Sequence, residues 1–183
     1  LGENISPDNK SALLKMIERT EVDSVYMNKE VSIYLDRLPV SYEELKSQVV
    51  SENVAHYSCI PFVREFVRKI QKEQANKYAD IIVEGRDIGS VVFPNADIKF
   101  FVDADLETRA KRRQKEYLSK GENLSLEKVK EIINARDEED RHRVLSPLIM
   151  TSDSVLIDTS DMTILGVVDE MIQKINQKRN KTK

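Results

Sequence analysis

The sequence has 183 residues, of which 33% are charged and 40% hydrophobic, and its 29 Lys+Arg against 32 Asp+Glu give a formal net charge of −3. This length and apolar content predict a folded domain with its own core and exclude a disordered chain. The negative charge and the short apolar runs argue against nucleic acid and against a membrane as partners. With one cysteine, Cys59, and a polar N-terminus without a signal-peptide pattern, we expect a cytoplasmic protein.

The first 80 residues carry signals for helices and one hairpin. Pro7 suits the first position of a helix, and Ser41 with Glu44 forms a capping-box pattern. Alternating β-branched and aromatic residues indicate the two strands of the hairpin. The predicted elements are a helix from Ser6-Pro7 to about Arg19, strands at Ser24–Met27 and Val31–Leu35 joined by Asn28-Lys29-Glu30, a helix from Ser41 towards Val54, and a helix that begins at Pro61.

Strands and helices alternate in the rest of the chain. Three short apolar stretches, Ile81–Val83, Ile98–Val102 and Val155–Ile157, have the pattern of buried strands. Helical patterns lie at about 106–118, 126–143 and 162–177, and we read 177–183 as a solvated C-terminal end. This alternation predicts an α/β fold with a parallel sheet, in which ligands bind beyond the carboxyl ends of the strands.

Charged residues of three groups are candidates for a binding site. In Gly85-Arg86-Asp87, the arginine offers a donor fork for phosphate and the aspartate can accept from an exocyclic amine, although a turn with a surface ion pair fits equally well. Two helix faces carry the other groups. They are Arg136, Asp140 and Arg143, which suit a phosphate and a sugar hydroxyl, and Arg109, Arg112 and Arg113, which suit a transferred phosphoryl group. For both faces, a solvated charged surface is the competing interpretation.

Other kinds of site are excluded by what the sequence lacks. The five glycines form neither G-x-x-x-x-G-K-[ST] nor G-x-G-x-x-G, so these 183 residues contain no glycine-rich phosphate loop. His56 and His142 are remote from each other and there is no second cysteine, which argues against zinc. His142 fits a solvated surface residue better than a general base, and the Ser, His and Asp residues indicate no nucleophilic triad.

The order of these motifs resembles that of the bacterial cytidylate kinases. The run Ile82–Pro94, with its Gly-Arg-Asp, is the most specific part, and Phe101–Ala104, Arg109–Arg113 and Arg136–Arg143 follow with matching spacing. The resemblance covers nearly the whole chain, more weakly at Pro61–Arg64 and in the hairpin. It implies a parallel-sheet P-loop nucleoside monophosphate kinase fold with a small antiparallel insertion. It also implies transfer of the γ-phosphoryl group of ATP, with Mg²⁺, to CMP or dCMP.

The resemblance further implies roles for single residues. Arg64 and Asp87 match positions that read the cytosine ring, which has an amine for a carboxylate and acceptors for an arginine. The remaining matches are Arg86 and Arg143 as phosphate contacts, Arg136 and Asp140 as residues around the ribose and the lid, and Arg109, Arg112 and Arg113 in an arginine-rich helix near the ATP phosphates. The implied regions are a core helix at 1–20, a monophosphate-binding insertion at 21–60, and the α/β core at 61–183 with a lid at about 118–126.

The sequence departs from the family pattern at several points. Ala55, with Ser58 close by, stands where the family has a serine near the cytosine, and Leu45-Lys46 replaces an Ile-Arg pair. The first strand and P-loop of the family have no counterpart downstream of Leu1, so we expect an additional N-terminal segment and little activity without it.

Three other functions compete with a cytidylate kinase. They are a non-catalytic CMP-binding remnant without an ATP site, a UMP-specific kinase, and binding of RNA backbone by the arginine faces. Asp87 argues against UMP, because uracil presents a carbonyl where cytosine presents an amine. The net charge and the lack of an aromatic platform argue against RNA. By analogy with the family, we expect a monomer.

Overall fold

A computed structural model describes residues 5–27 and 30–181 and divides into two compact units, Leu1–Ile82 and Val83–Lys183. The N-terminal unit contains α1 (Lys10–Arg19), β1 (Val22–Met27), β2 (Glu30–Leu35), β3 (Leu38–Val40), α2 (Tyr42–Leu45), α3 (Gln48–Ser58) and α4 (Pro61–Ala75). The C-terminal unit contains a π-helical turn (Ile88–Val92), β4 (Lys99–Asp103), α5 (Leu106–Ser119), α6 (Leu126–His142), β5 (Ser154–Asp158) and α7 (Ile164–Lys181).

The predicted hairpin is confirmed as β1 and β2, which pair antiparallel, and the predicted turn residues Asn28 and Lys29 lie outside the described residues. A third strand, β3, extends this sheet and was not predicted. It follows a two-residue turn in which Asp36 (φ 49°) and Arg37 (φ 66°) are both left-handed. Two positive φ values are typical of the two-residue turn of a tight hairpin. Such turns usually have the sequence Asn-Gly or Asp-Gly, and Asp36-Arg37 lacks this signal.

Two helix boundaries in this unit differ from the prediction. Residues 7 and 8 form a turn instead of a helix, and α1 begins at Lys10 because the Asn9 side chain accepts a hydrogen bond from the backbone N–H of Ala12 (3.1 Å). The prediction placed this start too early, since Asn is the stronger capping signal.

The Ser41–Glu44 capping box is present, but the helix that it begins ends at Leu45 instead of running towards Val54. A second cap at Ser47 starts α3, so one predicted helix is two. The helix predicted from Pro61 is confirmed as α4.

In the C-terminal unit, β4 and β5 pair in parallel, with Asp103 opposite Asp158 at their carboxyl ends. This confirms two of the three predicted strands and the parallel arrangement, and α5 and α6 confirm the helices predicted around them. Ala110 of α5, Val129 of α6 and Ile157 of β5 are almost completely buried and form the core of the unit.

The strand predicted at Ile81–Val83 is wrong for this structure. These residues have no regular secondary structure, and the side chain of Ile82 is fully exposed. A strand requires hydrogen bonds from a neighbouring strand, and the described residues provide none beside this segment. The apolar run therefore favours a strand, but no strand among the described residues pairs with it.

Two further features differ from the sequence prediction. The segment from residue 177, taken as a solvated end, is exposed at residues 177–180 as predicted, but it is helical and belongs to α7 (Ile164–Lys181). After Asp87 the chain makes a five-residue π-helical turn, which the sequence did not indicate. None of the helices in the described part of the chain combines the length and apolar character that a membrane span needs.

Candidate active site

The C-terminal unit places a buried carboxylate between two arginines. Asp140, near the end of α6, is 8% exposed. Its Oδ2 lies 2.9 Å from Nε of Arg86, and its Oδ1 lies 3.4 Å from Nη1 of Arg143. The Arg86 contact is an ion pair by distance, whereas Asp140 Oδ2 accepts no aligned hydrogen bond from the described residues. One negative charge thus faces two positive charges, which leaves local positive charge suited to an anion.

Arg86 and Asp87 are positioned by the turn around Gly85 and by the π-helical turn that follows. A Cβ on Gly85 would lie only 2.8 Å from Cγ1 of Ile88, so this close approach requires glycine. The carbonyl of Asp87 accepts hydrogen bonds from the backbone N–H groups of Val91 (2.8 Å) and Val92 (3.2 Å). The π-helical turn therefore holds the backbone at Asp87, and Gly85 allows the chain before it to pass close to Ile88.

The arginines of α5 have separate protein partners. Arg109 donates to Asp137 Oδ2 (2.6 Å) and to the carbonyl of Ala104 (2.9 Å). Arg112 donates through Nη1 to Oγ1 of Thr159 (2.9 Å) and through Nη2 to its carbonyl (2.6 Å). Arg113 donates to Glu116 on its own helix (2.6 Å). Arg109 and Arg112 therefore attach α5 to α6 and to the end of β5, which the sequence did not reveal.

Two predicted site residues have other surroundings. The side chain of Arg136 is exposed on α6 and makes no ion pair or hydrogen bond with the described part of the chain, so Arg136 is not a member of the Asp140 group. Arg64 lies in the first turn of α4, in the N-terminal unit. The side chain of Ala55, which replaces a family serine, lies outside the described part.

Carboxylates gather at the carboxyl ends of β4 and β5. Hydrogen bonds from the hydroxyl and backbone N–H of Ser160 lower the pKa of Asp158, and the backbone N–H of Thr108 lowers the pKa of Asp105. Both groups are therefore charged at neutral pH. Among the described residues, no group of His, Cys, Asp or Glu is arranged to hold a metal ion. His142 is 75% exposed on its side chain, as expected for a surface residue.

The sequence identified Arg86, Asp140 and Arg143 as candidates but did not predict that Arg86 would meet Asp140. Their contact joins two groups that the sequence analysis treated as separate. The helix spacing did not reveal the burial of Asp140, because one of its partners, Arg86, comes from a distant part of the chain.

The family profile described as cytidylate kinase matches residues 1–177 of this chain. The chain belongs to the cytidylate kinase family. The cytidylate kinase of Clostridioides difficile (strain 630) is 40% identical over 176 residues, which cover 96% of this chain and 79% of that protein. The cytidylate kinase of Desulforamulus reducens (strain MI-1) is 40% identical over 172 residues, which cover 94% of this chain and 76% of that protein. The cytidylate kinase of Caldanaerobacter subterraneus subsp. tengcongensis is 37% identical over 177 residues, covering 97% and 76%.

Membership in the cytidylate kinase family makes the chain a kinase and confirms the expected fold class. The parallel pair β4–β5 with its helices and the small antiparallel sheet β1–β3 are consistent with a P-loop nucleoside monophosphate kinase fold. The Arg86–Asp140–Arg143 group, which we call the arginine–aspartate cluster, places two guanidinium groups beside one buried carboxylate in the C-terminal unit.

Proposed function

We propose that this chain transfers the γ-phosphoryl group of ATP to CMP or dCMP, giving ADP and CDP or dCDP. The family match over residues 1–177 carries the proposal. The arginine–aspartate cluster supports it, because guanidinium groups held by a buried carboxylate are preorganised for the phosphate of a monophosphate substrate.

In the proposed complex, Arg86 and Arg143 bind the phosphate of CMP. Asp140 holds both guanidinium groups in place and accepts a hydrogen bond from a ribose hydroxyl. Arg136, which is exposed on the same helix, adds a contact to the nucleotide when it binds. Asp87, two positions beyond Gly85, accepts from the cytosine amine, and the role of Arg64 on the cytosine ring stays a prediction.

The ATP side of the reaction rests on the arginine-rich helix α5. Arg109, Arg112 and Arg113 are proposed to lie near the transferred phosphoryl group, where positive charge stabilises the transition state. We propose that Mg²⁺ enters as a complex with ATP, because Mg²⁺ in kinases is held largely by the substrate phosphates. We also propose that the enzyme acts as a monomer, with the loop between α5 and α6 as its lid.

The first test is a coupled assay of ADP release by the full-length gene product with ATP, Mg²⁺ and either CMP, dCMP or UMP. We expect turnover with CMP and dCMP. Binding of CMP without ADP release would favour the non-catalytic CMP-binding protein, and faster turnover with UMP would favour a UMP kinase.

Replacement of Asp87 tests base recognition. Asp87→Asn replaces part of an acceptor by a donor, so we expect kcat/KM for CMP to fall by about tenfold or more, and that for UMP to fall less. Asp97→Asn, at an exposed carboxylate of the same unit, is the control and should change neither value. Equal losses for both nucleotides in Asp87→Asn would remove Asp87 from base recognition.

A further inference from the structure

The chain folds back on itself directly after α6, in residues 143–148, which we call the 143–148 turn. Ser146 in this turn has a φ of 53°, one of three non-glycine residues with positive φ in the described part of the chain. The left-handed region is unfavourable for a residue with a Cβ, and a residue before proline, as Ser146 is before Pro147, is biased towards extended backbone. Such a conformation persists only where its surroundings hold it.

Two hydrogen bonds hold the turn, and both involve the arginine–aspartate cluster. The carbonyl oxygen of Ser146 accepts from Nε of Arg143. The backbone N–H of Leu148 donates to the carbonyl of Asp140 (2.7 Å). Ser146 is thus bonded to the side chain of Arg143, and Leu148, two residues later, is bonded to the backbone of Asp140.

The bond at Nε determines how the guanidinium group of Arg143 is presented. A guanidinium is planar, so an acceptor at Nε together with Asp140 at Nη1 fixes the plane of the whole group. Nη2 is buried and has no hydrogen-bond partner among the described residues. The guanidinium group of Arg143 is therefore ordered by the protein, while its Nη2 donates no hydrogen bond to the described residues.

We propose that Ser146 is a positioning residue for the phosphate of the nucleotide substrate. Its left-handed backbone directs its carbonyl to Arg143 Nε and so orders the guanidinium before the phosphate arrives. Ordering a long side chain in advance improves binding because the entropy is not lost on association. The hydroxyl of Ser146 makes no hydrogen bond within the described part, so the effect comes from the backbone. This inference rests on the proposed function, in which Arg143 binds the phosphate.

Two variants of Ser146 in the full-length gene product separate backbone from side chain. Ser146→Thr keeps the hydroxyl but adds a branch at Cβ, which disfavours positive φ. We expect its Kd and KM for CMP to rise about tenfold, with KM for ATP nearly unchanged. Ser146→Gly, which adopts positive φ readily, should rescue CMP binding relative to Ser146→Thr. Ser152→Thr, at an exposed serine of the following loop, is the control for the added methyl group.

Combination with Arg143→Ala shows whether Ser146 acts through the arginine. We expect Arg143→Ala to weaken CMP binding and Ser146→Thr to cause no further loss in that background. Unchanged CMP binding in Arg143→Ala would contradict the proposed role of Arg143 itself. Loss in Arg143→Ala but not in Ser146→Thr, equal loss in Ser146→Gly and Ser146→Thr, or additive losses would each overturn the role of Ser146 alone.

A measurement on the unmodified protein covers the case in which Ser146→Thr fails to fold. The Nε–H signal of Arg143, assigned in an NMR spectrum by its absence from Arg143→Lys, should be protected from exchange with water because it donates to the Ser146 carbonyl. Exchange as fast as that of an exposed arginine, such as Arg136, would overturn the proposal.

Discussion

At the scale of single residues, Asp140 is the group on which the candidate site depends. It is buried, and the two arginines beside it are more exposed, with 48% of the Arg86 side chain and 26% of the Arg143 side chain accessible. Removing the charge of a buried carboxylate lowers the free energy of unfolding more than removing that of an exposed carboxylate, because the arginines beside it are left without a counter-charge.

We expect Asp140→Asn to lower the free energy of unfolding by about 1–3 kcal/mol, less than for a fully buried pair because both arginines retain some contact with water. It should also weaken CMP binding. Urea unfolding and calorimetric titration with CMP measure the two effects.

The control for this experiment is Glu138→Gln on the same helix. Glu138 is 65% exposed and lies 3.3 Å from Nδ1 of His142, so the loss should be below about 0.5 kcal/mol. Equal losses of unfolding free energy in the two variants would show that the Asp140 carboxylate stabilises the protein no more than an exposed one.

At the scale of elements, α5 depends on the contact of Arg112 with Thr159. Thr159 is 5% exposed, and it also bonds through its N–H and its hydroxyl to the carbonyl of Asp103, at the end of β4. Arg112 therefore connects the helix to both strands of the parallel pair. Arg113, one residue later, makes its hydrogen bond and its cation–π contact within its own helix, to Glu116 and to the ring of Tyr117.

We expect Arg112→Lys to lower the free energy of unfolding by about 1–2 kcal/mol, because an ammonium group cannot reproduce the two parallel bonds of the guanidinium. Arg113→Lys should cost less than about 0.5 kcal/mol. Chemical denaturation and the KM for ATP decide between the two roles of Arg112. A higher KM for ATP without loss of stability would indicate a direct phosphate contact instead of a structural one.

The parallel pair is also fixed at its other end by an ion pair between β4 and the turn before β5. Lys99 is buried in β4, and its ammonium group lies 2.8 Å from Asp153. The hydrogen bond from Lys99, with a second from Thr151, lowers the pKa of Asp153 from 3.8 to about 2. A carboxyl group with a lowered folded-state pKa stabilises the protein above its ordinary pKa and loses this effect as the pH falls towards the folded value.

We therefore expect the unmodified protein to lose more stability than Asp153→Asn as the pH falls from about 4 towards 2. At neutral pH the variant should be the less stable of the two. Urea unfolding across this range measures the difference, with Asp97→Asn as the control. Parallel pH profiles for the unmodified protein and Asp153→Asn would show that Lys99 does not hold this carboxylate in its charged form.

At the scale of the whole molecule, binding of a substrate stabilises the folded state as a unit. We expect CMP at about a hundred times its Kd to add about 2.7 kcal/mol and to raise the Tm of the full-length gene product by about 5–10 °C. Cytidine at the same concentration should raise the Tm much less, because it lacks the phosphate for which we propose the arginine–aspartate cluster as the binding site. Scanning calorimetry measures both Tm values. Equal increases in Tm with CMP and with cytidine would show that the nucleoside, and not the phosphate, provides the binding energy.

Local signals predicted most of the elements. The Ser41–Glu44 capping box, the proline that starts α4 and the apolar runs of β4 and β5 each depend on a few adjacent residues, so the sequence shows them directly. The prediction was wrong at Ile81–Val83, where an apolar run has no neighbouring strand among the described residues. Strand formation depends on pairing with distant residues, which a local pattern does not contain.

The sequence by itself determined the family, through motifs whose order and spacing survive without coordinates, and with the family came the fold class and the candidate residues. Only the tertiary structure decided which partners the candidate arginines have: Asp140 for Arg86, Asp137 for Arg109, and Thr159 for Arg112. The same holds for the left-handed Ser146, whose carbonyl accepts a hydrogen bond from Arg143 Nε. The physical reason is that the burial and the ion-pair partner of a charged side chain depend on elements far away in the chain. The local sequence around such a residue is the same whether the side chain faces water or a partner.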